Sequence, residues 1–119
     1  MKLYGEEHKD TIADAFNYSV DLANLQRFEE AKALLRKTIP VARRVLGESH
    51  ELTLRIFLAY GETLYKVDGA TLDDHRQAVK MLKETERTAR RVLGGAHPMT
   101  TMLQRHLRES RAALNARSA

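Results

Sequence analysis

Apolar residues fall at helical spacing along almost the whole chain, and the few breakers separate five amphipathic segments. The first helix is predicted over about Lys9 to Leu25, with Ile12, Ala15, Phe16, Ser19, Leu22 and Ala23 as its apolar side. Asp10 or Thr11 is expected to cap it, with Asp14 completing a capping-box pattern behind Thr11. The second runs from about Phe28 to Leu46 on a stripe of Ala31, Leu34, Leu35, Thr38, Ala42 and Val45, and Gly47 ends it. Pro40 inside it predicts a kink near residues 36–40, because the stripe continues in phase beyond it. The third spans about Glu51 to Val67 on Leu54, Phe57, Leu58, Gly61, Leu64 and Tyr65. The fourth begins near Leu72 behind a Thr71–Asp74 cap and ends at Gly94. The fifth begins at Pro98 and continues to about Ala116 on Leu103, Leu107 and Leu114. No convincing strand pattern appears.

These segments repeat. Ala42-Arg43-Arg44-Val45-Leu46-Gly47 returns unchanged as Ala89-Arg90-Arg91-Val92-Leu93-Gly94. Each copy leads into Gly-x-x-His, ending at His50 and His97, and a third such phrase runs from Gly5 to His8. The spacings of 42 and then 47 residues indicate stacked supersecondary units. Aligned on that phrase, Tyr18/Tyr60, Ser19/Gly61 and Leu22/Leu64 fall at equal places, as do Ala31/Ala78, Leu35/Leu82 and Thr38/Thr85. The second unit carries extra residues around Val67–Thr71.

This pattern of a bulky residue, a small one and a following apolar one, then a small residue opening the next helix, resembles the tetratricopeptide repeat. Its long form with a Leu-Gly-x-x-His linker is similar to the repeats of kinesin light chain. The resemblance implies an all-α solenoid in one domain over residues 1–119. Repeat one covers about 8–47, repeat two about 50–94, and a capping helix about 98–116. Small residues at Ser19, Gly61, Ala31 and Ala78 then permit close helix approach. It also implies a non-catalytic scaffold that binds a protein or peptide in a concave groove lined by the first helix of each pair. The corresponding positions are Ala13, Phe16, Asn17, Val20 and Asn24 in repeat one. In repeat two they are Arg55, Leu58, Ala59, Glu62, Tyr65 and Lys66. Asn17 matches the groove asparagine that such repeats use on a peptide backbone; Ala59 and His106, at the equal places, do not. Phe57 and Tyr60 read first as core.

Composition narrows the rest. The chain has no cysteine, which removes disulfides and thiolate metal sites and fits a cytoplasmic protein. No apolar run is long enough for a membrane span. The net charge of +4 is uneven: seven arginines from Arg87 onward face only Glu109. That excess reads as a solvated helical face rather than a nucleic-acid site, since no aromatic lies among the arginines. The recurrent His8, His50 and His97 sit one repeat apart, too far for one zinc, and read as linker caps. Nothing assembles a nucleophile–base–acid set or a phosphate loop, so neither an enzyme nor a cofactor is expected. Lys2-Leu3-Tyr4-Gly5 reads as the last turn of a helix whose body is missing, so the open N-terminal end is a candidate homo-oligomer surface. Arg108 and Arg111 depart from the small and apolar residues the repeat calls for.

Overall fold

The computed structural model describes residues 8–118. They form five helices: α1 (Lys9–Asn24), α2 (Phe28–Val45), α3 (Glu51–Tyr65), α4 (Leu72–Leu93) and α5 (Pro98–Ser118). No strand occurs among the described residues. Every helix lies within a residue or two of its predicted span. The expected helical turn at Lys2–Gly5 falls outside the described residues.

The repeated phrase builds each junction. Gly47 and Gly94 take φ of +89° and +94°, conformations open to glycine without a Cβ penalty, just past the ends of α2 and α4. The Gly47 N–H donates back to the carbonyls of Ala42 and Arg43, satisfying orphan acceptors of the last turn. Arg43 and Arg44, then Arg90 and Arg91, occupy the last turns, where cations complement the helix dipole.

The histidine then starts the next helix. Nδ1 of His8 accepts from the Asp10 N–H at 3.0 Å, Nδ1 of His50 from Leu52 at 3.1 Å, and Nδ1 of His97 from Met99 at 3.0 Å. All three are linker caps, as their spacing predicts. For α1 this corrects the sequence expectation: the N-cap is His8, not Asp10 or Thr11. The Thr71–Asp74 capping box forms as expected, with both reciprocal bonds at 3.0 Å. His50→Ala is expected to cost about 1 kcal/mol in a urea melt; an unchanged midpoint would remove the cap from the account.

α2 runs unbroken through Pro40. The insertion in the second unit is taken up partly as a longer loop (66–71 against 25–27) and partly as an earlier start to α4.

Each helix packs on its chain neighbours, and the first helices α1, α3 and α5 also touch in succession. The central helix α3 is enclosed from both sides, with Leu54, Ile56, Phe57, Tyr60 and Leu64 all buried. Arg36 of α2 donates to the Tyr60 hydroxyl at 3.3 Å, and the Arg43 guanidinium lies 4.8 Å from the Phe57 ring centre. Phe57 and Tyr60 are thus core residues, as read from their spacing. Gly61 lies against Leu82 of α4 so closely that a Cβ there would sit 2.8 Å from two of its carbons. Tyr18 stands at the place of Tyr60 in the first unit, yet is 56% exposed against 4%.

Candidate interaction groove

The first helices lie side by side and form the walls of a continuous trough. At one end Ala13, Phe16 and Asn17 of α1 face Glu51, Leu52 and Arg55 around the start of α3. The middle is a hollow of about 480 Å³. Phe16 and Val20 of α1, Leu58 and Ala59 of α3, and Met99 and Met102 of α5 give it an apolar lining. The far end is bounded by Val20, Asn24, Ala59, Glu62 and Lys66. Shared residues join the three stretches: Phe16 and Arg55 link the first two, and Val20, Ala59 and Glu62 the last two.

Helical periodicity explains this convergence. Ala13, Phe16, Asn17, Val20 and Asn24 recur at i, i+3, i+4, i+7 and i+11, one stripe of α1. Arg55, Leu58, Ala59, Glu62 and Lys66 repeat that stripe on α3. Asn17, Val20, Asn24, Arg55 and Lys66 are exposed; Phe16 and Glu62 are half-buried; Leu58 is buried as floor.

Tyr65 departs from the expected arrangement. It is buried and lines none of the three stretches. Its hydroxyl donates to Oε2 of Glu109 at 2.9 Å and lies 2.7 Å from Nδ1 of His106. The Tyr65 hydroxyl thus joins His106 and Glu109 in one cluster. Burial lowers the His106 pKa below its ordinary value, against the opposing pull of Glu62 and Glu109. Desolvation raises that of Tyr65, helped by its bond to Glu109, while the same bond lowers that of Glu109. Tyr65 therefore fastens α5 to α3 behind the groove wall instead of facing a ligand.

Charges along the trough are balanced locally. Arg55 meets Glu51 at 3.3 Å and Lys66 meets Glu62 at 3.3 Å. The result is an apolar centre between two paired polar flanks. Among the described residues no group of three His, Asp or Glu side chains could hold a metal, and no helix is long and apolar enough to cross a membrane.

Sequence reasoning missed the contribution of α5. His97, Pro98, Met99 and Met102 close the central hollow. The signal was present: Met102 stands 47 residues after Arg55, itself 42 after Ala13, so the groove stripe extends into a third first helix.

Helix pairs stacked through a repeated junction, with a trough along their first helices, define an all-α solenoid of tetratricopeptide type. Comparison with protein families agrees: residues 17–51 match the tetratricopeptide repeat family. That is a non-catalytic interaction repeat, and it suggests a protein partner. Comparison with curated proteins and with solved structures gave no match.

Proposed function

We propose that this chain is a cytoplasmic interaction scaffold of the kinesin-light-chain-like type, holding a peptide segment of a partner protein in the trough. The single observation that carries this reading is the central hollow. Val20 and Met102 are 38% and 41% exposed and belong to different helices, yet line the same space over a floor of Leu58 and Met99. Large apolar side chains left accessible in a concave site are what an apolar anchor residue needs. The paired flanks supply polar contacts at either side, with Asn17 and Asn24 available to a peptide backbone. Two helix pairs offer little surface, so affinity for an isolated short peptide is modest.

The test uses peptides selected by display against the whole chain. Met102→Asp is expected to weaken their binding about tenfold or more in calorimetry, as loss of a central apolar contact does. Asn17→Ala combined with Arg55→Ala is expected to weaken it less. Helicity by circular dichroism should be retained throughout, since these side chains are exposed. Peptides that bind all variants equally would sink the groove reading.

A further inference from the structure

The internal repeat shows what each edge of a unit meets when it is stacked, and the two open edges depart from it with opposite sign. On α3, Ile56, Tyr60 and Thr63 are buried at 0%, 4% and 5% exposure. The same places on α1, 42 residues earlier, hold Asp14, Tyr18 and Asp21, all exposed. On the other side, Gly61 of α3 packs against Leu82 of α4, and Leu64 three residues on is buried. The same places on α5, 47 residues later, hold Arg108 and Arg111, both exposed. Asp14, Tyr18 and Asp21 recur at i, i+4 and i+7, and Arg108 and Arg111 at i and i+3, so each set shares one helix face.

A merely solvated edge needs charge of either sign. Here the signs are sorted. α1 carries Asp10, Asp14 and Asp21 against Lys9 alone. α5 carries Arg105, Arg108, Arg111 and Arg117 against Glu109, which is already bonded to Tyr65. Asp14, Asp21, Arg108 and Arg111 have no ion-pair partner among the described residues. Both faces are turned away from the trough, whose α1 stripe is Ala13, Phe16, Asn17, Val20 and Asn24.

We propose that a second copy of this chain docks head to tail, its acidic α1 face against the open basic face of α5, with Asp14 and Asp21 meeting Arg108 and Arg111 and Tyr18 enclosed in the joint. The two faces differ, so the contact is heterologous, and it builds a ring where the rotation closes and an open chain where it does not. Exposed charges are screened over about 10 Å at 0.1 M salt, so association falls as salt rises.

Sedimentation velocity on the 119-residue chain tests this. The average mass should rise with protein concentration in low salt and return to monomer in high salt. Asp14→Lys with Asp21→Lys should weaken association about tenfold or more, and so should Arg108→Glu with Arg111→Glu. All four residues are exposed, so circular dichroism should be unchanged; Asp14→Asn with Asp21→Asn serves if charge reversal disturbs the fold. An equimolar mixture of the two reversed variants should associate again, because a basic α1 then meets an acidic α5 and the native edges meet each other. A monomer at every concentration and salt would overturn the proposal. So would association that survives both reversals, or a mixture that stays monomeric. Mass that rises only when duplex DNA or polyglutamate is added would place a foreign polyanion on α5, and would equally overturn it.

Discussion

Gly61→Leu is expected to destabilise the fold by about 3 kcal/mol or more, the upper end of what overpacking costs. Even a Cβ at this site would lie 2.8 Å from Cγ and Cδ2 of Leu82. Leu82 is fully buried. A full leucine side chain therefore has to push α3 and α4 apart at their closest approach. Alanine at the same place is far milder, because the gain in helix propensity of about 1 kcal/mol offsets part of the overlap. The coupling is the sharper test. Leu82→Ala alone should cost about 2–5 kcal/mol through the cavity it leaves. Combined with Gly61→Leu, the total should fall well below the sum, since each change relieves the other. Strictly additive losses in urea melts would mean that this contact does not set the helix separation.

Tyr65→Phe is expected to cost about 1–3 kcal/mol, because it leaves His106 Nδ1 buried without its hydrogen-bond partner. The loss should concentrate in α5, seen as faster amide exchange there than in α2. The pH dependence follows from direction alone. His106 is held neutral in the fold by burial, while the unfolded chain takes up its proton near the ordinary value of about 6.5. The fold's advantage is complete above that value and is lost as pH falls from it toward the depressed folded value. Tyr65 works from the other side: its raised folded pKa favours the phenol, so its contribution holds below about 10 and is lost as pH rises beyond. Wild type should therefore lose stability on acidification below pH about 6.5, and His106→Gln should flatten that limb. Equal acid sensitivity in the two proteins would refute the assignment.

Helix placement was legible because it depends on local chemistry. Gly47, Gly94, Pro98 and Thr71 each act within a turn of their own position, and the structure ends or starts helices there. The first N-cap was misread for an instructive reason. Asp10 and Thr11 are better cappers in isolation, but the recurring histidine was the stronger signal, since one residue type at equal places of every junction implies one shared role. Tyr65 was misread because periodicity fixes which way a side chain leaves its helix and says nothing of what has been laid over it. The residues that cover it, His106 and Glu109, lie more than 40 positions away on α5. Tyr18 and Tyr60 make the same point: identical residues at equal places differ in burial because α2 lies over one of them.

The insertion in the second unit has one more consequence. It falls where a helix pair turns back on itself, while the Gly-x-x-His junction between pairs keeps its form. The two kinds of connection therefore obey different rules. The junction is a fixed coupling, because a glycine, a cap and a helix start must stay in register for the next pair to seat. The hairpin end is adjustable: added residues lengthen the loop and the start of α4, while Ala78 and Leu82 stay buried at the places equal to Ala31 and Leu35. An array built this way can evolve rims of different height around one unchanged superhelical stack.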